Sequence, residues 1–181
     1  MKIVETALSE VKLIEPEVFG DDRGFFLESW NARTFAEAGI DCTFVQDNHS
    51  RSSAGVLRGL HYQLVRPQGK LVRVVSGRAF DVAVDIRRSS QSFGRWVGFE
   101  LSALNKRMLW IPPGFAHGFL ALEDGTDFLY KCTDFYAPEH DRSILWSDPR
   151  IGIEWPLDGA APSLSAKDKA APPLADAELD G

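Results

Sequence analysis

Short strands separated by turn residues run through most of this chain, and this pattern limits the fold most strongly. Residues 80–87 show it best, since one apolar set alternates with a more polar set: Phe80, Val82, Val84 and Ile86 against Asp81, Ala83, Asp85 and Arg87. A period of two is typical of a β-strand. Further strands are expected at 43–45 and 128–136, and a short helix at 32–38. Roughly nine strands with a single early helix predict an all-β sandwich or barrel.

The domain organisation follows from length and composition. A chain of 181 residues suffices for one domain with a sizeable core. Neither a repeat nor a linker interrupts residues 1–150, so we expect a single domain over residues 1–181. Residues 157–181 are rich in Ala, Pro, Asp and Leu, and we expect a loosely ordered tail over about residues 170–181.

Charge and composition exclude several classes of protein. The net charge of −6 argues against binding nucleic acid through phosphate neutralisation. The chain has no apolar run near the roughly 20 residues of a membrane helix, and the charged first ten residues do not fit a signal peptide. Cys42 and Cys132 match neither a metal spacing nor a disulfide framework. We therefore expect a cytoplasmic protein without a nucleic-acid or membrane partner.

Polar residues are unusually dense in one strand-like stretch, residues 46–77. Among its polar members are Gln46, Asp47, Asn48, Arg58, His61, Gln63, Gln68 and Lys70. A second stretch, residues 111–119, brings His117 to the same region. Polar groups this dense on β-patterned chain indicate a lined cavity more than a solvated face.

The spacing around the two histidines resembles that of cupin barrels. In those proteins a His-x-His pair, an acidic residue on the following strand and a later Pro-x-Gly-x-x-His bind a metal. This chain has His61 and the segment 112–117, but Gln63 takes the second histidine position and Lys70 stands where the acid is expected. An ammonium group beside the site would repel a divalent cation. The sequence therefore predicts a cupin-type jelly-roll barrel with no metal and no other cofactor.

Proton transfer is the chemistry that these residues fit. A histidine such as His61 can take a proton from carbon if the resulting anion is stabilised, and Lys70 could supply that stabilisation. Tyr130, on a predicted strand, is a candidate acid for returning the proton to the other face. Asp168 is a candidate partner that would fix the histidine tautomer. The set predicts proton abstraction next to a carbonyl, followed by reprotonation.

Long motifs, in one order over about residues 10 to 170, give a more specific indication. They are Asp22-Arg-Gly-Phe25 with Glu28, Gln46-Asp-Asn-His-Ser50, Gly55-Val-Leu-Arg-Gly-Leu-His61, Gln68-Gly-Lys-Leu-Val72, Asp81 to Arg87, Ile111 to Phe119, Tyr130, Tyr136 with Pro138, Ile144 to Trp146 with Asp148-Pro149, and Leu164 to Asp168. In these segments the chain closely resembles the dTDP-4-dehydrorhamnose 3,5-epimerase family, metal-independent cupin epimerases of dTDP-L-rhamnose synthesis.

This resemblance implies a role for each matching residue. His61 is the proton acceptor paired with Asp168, Tyr130 is the proton donor, and Lys70 stabilises the enolate oxygen at C4. The residues implied to bind the nucleotide sugar, dTDP-4-dehydro-6-deoxyglucose, are Arg23, Glu28, Gln46, Asn48, Arg58, His117, Tyr136, Asp141 and Lys167. Tyr136 would stack on thymine, and Asp141 stands where the family usually has glutamate. Asp81 is our own candidate for orienting His117.

The resemblance also implies a homodimer that exchanges N-terminal strands, so Arg23 or Glu28 could serve the partner's cavity. Three alternatives remain open at this point. Some relatives invert only C3 or only C5 of another deoxysugar, and they can retain the same residues. A metal cupin is disfavoured by Gln63 and Lys70. A sugar-nucleotide binder without activity is disfavoured by the intact set of His61, Asp168 and Tyr130.

Overall fold

The computed structural model describes residues 1–179, and thirteen short strands make up most of its regular structure. In chain order the strands are β1 Lys2–Val4, β2 Lys12–Glu15, β3 Val18–Asp21, β4 Gly24–Leu27, β5 Gln46–Ser52, β6 Leu57–Gln63, β7 Lys70–Ser76, β8 Arg78–Asp85, β9 Trp96–Ser102, β10 Met108–Ile111, β11 Phe115–Ala121, β12 Thr126–Cys132 and β13 Asp141–Ser143. Two short α-helices, α1 Ala32–Glu37 and α2 Ala166–Lys169, and a 3₁₀ turn at Pro138–His140 complete it. The all-β prediction is confirmed.

Two antiparallel sheets contain eleven of these strands. One sheet has the order β1-β2-β10-β7-β12-β5, the other has the order β13-β6-β11-β8-β9, and β3 and β4 form a separate hairpin. Within residues 1–179 each strand pairs only inside its own sheet, so the jelly roll is an open sandwich rather than a closed barrel. None of the described helices is long and apolar enough to cross a membrane.

The main core lies between the two sheets. It contains Val72 and Phe128 from the six-stranded sheet, and Ala83, Val97 and Phe119 from the five-stranded sheet. Phe119 and Phe128 stack across the interface with ring centroids 4.1 Å apart. Large apolar groups fill one part of the space between the sheets, which leaves the other part for a cavity.

The alternation along β8 assigns its two faces. Val82 and Val84 point away from the space between the sheets, into an outer cluster with Leu60 and Ile144. Asp81 therefore lies on the inner face of the sheet, where it is fully buried. The polar residues of the β8 alternation therefore do not all face solvent, because the Asp81 carboxylate lies between the two sheets.

The C-terminal segment covers that outer cluster. Leu174 and Ala177 are buried in it, and the Leu174 backbone N–H donates to Oδ2 of Asp148 at 2.6 Å. The hydroxyl of Tyr62 donates to the carbonyl of Glu178 at 2.5 Å. Loose order was expected from residue 170, but the apolar residues of this segment pack on the sheet through residue 179; the last two residues lie outside the described range.

Two predicted strands have different bounds in the structure. β12 ends at Cys132, and residues 133–137 form a turn, because Gln68 and Gln63 capture the carbonyls of Asp134 and Phe135 in place of a neighbouring strand. Residues 43–45 lie outside β5, although the backbone N–H of Val45 donates to the carbonyl of Cys132 at 2.9 Å. The predicted helix is present and Asn31 caps it, since its side chain accepts from the N–H groups of Arg33 and Thr34.

Candidate active site

A cavity of about 360 Å³ opens between the two sheets. Eight of the predicted site residues line it: Gln46, Asn48, His61, Lys70, Tyr130, Tyr136, Asp141 and Lys167. The other residues of its wall are Tyr62, Gln63, Pro67, Gln68, Ile86, Gly114 and Phe115. Residues that are distant in sequence therefore meet in one space large enough for a small ligand.

His61 and Asp168 form a hydrogen-bonded pair at the wall of this cavity. Nε2 of His61, on β6, lies 2.6 Å from Oδ1 of Asp168, on α2. Burial alone would raise the pKa of Asp168, but the hydrogen bond and charge of His61, together with Ser165 and Lys167, lower it below its usual value. A carboxylate at this place favours the imidazole tautomer with its hydrogen on Nε2. Nδ1, which has no hydrogen-bond partner among residues 1–179, is then the nitrogen able to accept a proton.

A second histidine–aspartate pair lies beside the first. His117 on β11 is the register partner of His61, and its Nε2 lies 2.7 Å from Oδ1 of Asp81. Burial lowers the pKa of His117 and raises the pKa of Asp81, since it disfavours the charged form of each group. Asp81 does hold His117, as the sequence suggested.

Two glycines bring the histidine-bearing strands close together. A Cβ atom on Gly59 would lie 2.5 Å from Cα of Gly118, and Gly59 has a φ of 131°, which is unfavourable for other residues. The pairing of β6 with β11 shifts its register between His117 and Phe119, next to this contact. Larger residues here would separate the strands that hold His61 and His117.

Lys70 supplies a cation to the cavity. It begins β7 in the six-stranded sheet, and burial lowers the pKa of its ammonium group, although Cys132, Asp141 and Asp81 oppose that shift. No described residue accepts a hydrogen bond or forms an ion pair with this ammonium. An unpaired cation at a cavity wall is suited to an anion that comes with a ligand or forms during a reaction.

Tyr130 reaches the cavity from the sheet opposite His61. It lies in the middle of β12, paired with Asn48 of β5 and Val72 of β7. Burial raises the pKa of its phenol, and the nearby Cys132 and Asp141 add to this, whereas Arg58 lowers it. The phenol therefore keeps its proton at neutral pH. An imidazole on one wall and a protonated phenol on the other are two groups between which a proton could be taken from one face of a carbon and returned to the other.

Polar residues at the cavity's outer side are joined in one network. The amide of Gln46 donates to Oδ1 of Asn48 at 3.1 Å and accepts from the backbone N–H of Tyr136 at 2.9 Å. The Tyr136 hydroxyl donates to Oδ2 of Asp141 at 3.0 Å, and Lys167 forms an ion pair with the same oxygen. Tyr136, which is half exposed, comes from the turn after β12 and not from the strand predicted there.

Four predicted binding residues are absent from this cavity wall. His117 is buried in its pair with Asp81, and the other three are Arg23, Glu28 and Arg58. Arg23 is almost fully exposed and pairs with Asp21 in the β3–β4 hairpin. Glu28 follows the hairpin and accepts from the side chain of Asn31 at 3.0 Å. Arg58 donates to Ser52 and to the backbone carbonyl of Arg51, at the edge of β5. Of Arg23, Glu28 and Arg58, only Arg58 is close enough for its charge to lower the pKa of a cavity residue, Tyr130.

The cavity also has residues that were not predicted as site residues. Gln63 accepts from the backbone N–H of Ala137 at 2.8 Å, and Gln68 donates to the carbonyl of Asp134 at 2.8 Å. Both amides thus hold the turn that carries Tyr136. Their position in the polar stretch could have identified them. Ile86 and Phe115 also lie in segments that the sequence singled out, 81–87 and 111–119, but neither side chain is polar. Across residues 1–179 no group of three or more His, Cys, Asp or Glu side chains is placed to hold a metal ion.

Comparisons with known proteins agree with this geometry. A family model described as dTDP-4-dehydrorhamnose 3,5-epimerase matches residues 5–176. The dTDP-4-dehydrorhamnose 3,5-epimerase of Pseudomonas aeruginosa is 60% identical over 179 residues, which are 98% of this chain and 98% of that protein. The enzyme of the same name from Salmonella typhimurium is 58% identical over 181 residues, 99% of this chain and 98% of its own.

A solved structure matches the fold along nearly the whole chain. It is a dTDP-6-deoxy-D-glucose-3,5-epimerase from Legionella pneumophila in complex with dTDP-4-keto-L-rhamnose, 55% identical, with a TM-score of 0.95. The match covers 98% of this chain and 94% of that one. The sequence motifs, the fold and the family model agree, and the chain belongs to the dTDP-4-dehydrorhamnose 3,5-epimerase family of isomerases.

Proposed function

We propose that this protein converts dTDP-4-dehydro-6-deoxy-D-glucose to dTDP-4-dehydro-L-rhamnose by inverting C3 and C5, a step of dTDP-L-rhamnose biosynthesis. The observation that carries the proposal is the cavity in which the His61–Asp168 pair, Lys70 and Tyr130 meet. Family membership supports the choice of substrate, and the cavity supplies the groups that the chemistry requires.

The reaction begins with removal of a proton next to the ketone. The C4 carbonyl acidifies the hydrogens at C3 and C5, and Nδ1 of His61 takes one of them. The electron pair of the broken C–H bond moves into the enolate, whose oxygen is stabilised by the ammonium of Lys70. Asp168 stabilises the imidazolium that forms. Preorganised charges of this kind contribute on the order of 10²–10³ in rate.

Inversion requires that the proton return from the opposite face. Tyr130 donates its phenolic proton to the same carbon, since it extends from the sheet opposite His61. The enolate collapses to the ketone with the new C–H bond on the other side. Solvent then removes the proton from His61 and restores the phenol, and the second carbon reacts in the same way after the sugar has turned.

The nucleotide half of the substrate would occupy the outer part of the cavity. We assign the half-exposed ring of Tyr136 to stacking on thymine. Gln46, Asn48, His117, Asp141 and Lys167 would contact the nucleotide sugar, and Arg58 has the fork geometry suited to a diphosphate oxygen. Asp141 joins Tyr136 to Lys167, so these side chains would meet the ligand as one hydrogen-bonded unit.

The reaction needs no redox cofactor, because one proton leaves each carbon and one returns, and the oxidation state of the sugar does not change. Within residues 1–179 both cysteines, Cys42 and Cys132, are free thiols. Free thiols fit a reducing compartment, and we place the reaction in the cytoplasm.

We further propose that the protein works as a homodimer. Phe19, Phe25 and Phe26 of the β3–β4 hairpin are 57%, 62% and 67% exposed, which leaves a row of aromatic side chains in water. A second copy that covers this hairpin would bury it. The same contact would bring Arg23 and Glu28, which are remote from the cavity of their own chain, to the cavity of the partner.

Product analysis tests the proposed activity. The purified protein is incubated with dTDP-4-dehydro-6-deoxy-D-glucose, and proton NMR couplings around the ring report the configuration at C3 and C5. Inversion at both centres is expected. A product inverted at one centre would make the protein a single-centre epimerase of another deoxysugar pathway, and unchanged substrate would exclude the proposed activity.

A further inference from the structure

Ser165 makes a contact with the base assembly that the reaction described above does not use. Its hydroxyl donates to Oδ2 of Asp168 at 2.8 Å and accepts from the Asp168 backbone N–H at 3.1 Å. Oδ1 of the same carboxylate meets Nε2 of His61. Each oxygen of Asp168 therefore has its own partner, and only 2% of the residue's surface is exposed.

Resting on the proposed role of His61 as the base, we propose that Ser165 is a positioning residue that fixes the Asp168 carboxylate in the plane in which it holds the imidazole. Without the hydroxyl, Oδ2 would lose its hydrogen-bond donor in a buried place. The carboxylate would then be free to turn about its Cβ–Cγ bond, and Oδ1 would leave the line of the Nε2–H bond. Misplacement of a catalytic group by about 1 Å can cost on the order of 10² in rate.

The helix that carries Asp168 is too short to hold the side chain without this contact. α2 has four residues, Ala166–Lys169, and Ser165 is its N-cap. Beyond the cap, Lys167 ties the helix to Asp141, but that ion pair lies on the neighbouring side chain and leaves the Asp168 rotamer undetermined. Among the described residues, the Ser165 hydroxyl contacts both the backbone N–H at the start of α2 and the Asp168 carboxylate.

Removal of the hydroxyl should also change the titration of the pair. The bond to Ser165 stabilises the carboxylate and contributes to the lowered pKa of Asp168. Its loss would raise that pKa, so the acid limb of the kcat/KM profile would move to higher pH. The charged and titratable groups that face the pair stay in place in such a variant, and they are Lys70, His117, Asp141 and Lys167.

Two substitutions at Ser165 distinguish the effect of the hydroxyl on Asp168 from its effect on the start of the helix. Glycine is nearly as good a cap as serine, with a cost of only a few tenths of a kcal/mol, but it lacks the hydroxyl; threonine keeps both functions. Ser90→Gly is a matched control, because Ser90 also donates to a buried carboxylate, Oδ2 of Asp85, at 2.6 Å. Asp85 lies outside the cavity wall and retains bonds from Ser92 and Arg87.

The test measures kcat, KM, the pH profile and the thermal unfolding midpoint of each variant. For Ser165→Gly we expect a kcat about 10- to 100-fold lower than that of the wild type and an unchanged KM. The acid limb of the kcat/KM profile should move to higher pH, and the thermal unfolding midpoint should stay near that of the wild type. Ser165→Thr should stay within about threefold of the wild-type kcat, and Ser90→Gly should match it.

Two results would overturn the positioning role. One is a Ser165→Gly enzyme with the kcat and acid limb of the wild type. A lower kcat with an unchanged acid limb and a lower unfolding midpoint counts equally, because loss of stability alone would then explain it. The other is a Ser165→Thr enzyme as impaired as Ser165→Gly. Failure of the wild type to turn over the dTDP-sugar would instead count against the proposed function, so the two failures are distinguishable.

Discussion

His61 and Asp168 are 107 residues apart in the chain, yet Nε2 and Oδ1 of their side chains lie 2.6 Å apart. β6 of the five-stranded sheet supplies the histidine, and the C-terminal segment supplies the carboxylate from outside both sheets. The proposed base is thus assembled only when the C-terminal segment docks. Its strength depends on the charge and orientation of Asp168 as much as on His61.

Asp168→Asn should lower kcat by about 10²–10⁴ without preventing folding, in line with the loss seen when an aspartate behind a catalytic histidine becomes an amide. The amide of asparagine can donate to Nε2, which would leave the hydrogen on Nδ1 and block that nitrogen as a base. Steady-state kinetics with the dTDP-sugar measure the effect. A kcat within threefold of the wild type would show that the pair is not needed for proton abstraction.

Lys70→Met should lower kcat by about 10²–10³, because the enolate oxygen loses its cation. The same change should raise the thermal unfolding midpoint, since a buried ammonium without an ion-pair partner is replaced by an apolar chain of similar length. Lys131→Met is the control, as Lys131 pairs with the exposed Asp47 and has no proposed role. Equal kcat losses in the two variants would exclude a specific role for Lys70.

Tyr130→Phe should affect the two proton transfers differently. The base is intact, so exchange of the substrate hydrogens with solvent should continue from one face, while net inversion falls by about 10²-fold or more. The rate of solvent exchange and the rate of formation of inverted product, both measured in the same reaction, give the ratio of exchange to inversion. If both processes decline by the same factor, Tyr130 is not the acid that completes inversion.

The hairpin proposal predicts a change in oligomeric state. Phe26→Glu places a charge in the exposed aromatic row of β4 and should convert a dimer to monomers at micromolar concentration, as measured by sedimentation velocity. The kcat/KM value should fall with dissociation if Arg23 and Glu28 serve the partner's cavity. Val65→Glu, at another exposed apolar residue outside the hairpin, should leave the dimer intact. A monomeric wild type would contradict the proposal.

Local pattern was enough to predict the all-β class, the α1 helix and most of the cavity wall. The alternation along β8 and the polar stretch around His61 are properties of neighbouring residues, and strand geometry turns them directly into faces. The family motifs then added Tyr136 and Lys167 and supported Asp168, which had been only a candidate partner of His61.

Long-range contacts account for what sequence did not predict. β12 stops at Cys132 because Gln63 and Gln68, far earlier in the chain, hold the turn that follows. Residues 171–179 pack on the five-stranded sheet because Leu174 meets an apolar cluster there, although the composition of this segment suggests a loosely ordered tail. The cavity contacts predicted for Arg23 and Glu28 do not form within one chain.

The most direct test of the central claim is isotope incorporation by wild type and His61→Ala in D₂O. After incubation with dTDP-4-dehydro-6-deoxy-D-glucose, mass spectrometry and NMR locate deuterium in the sugar. We predict deuterium at both C3 and C5 with the wild type and none above background with His61→Ala. Wild-type rates of labelling by His61→Ala, or an unlabelled sugar from the wild type, would contradict the assignment of His61 as the base.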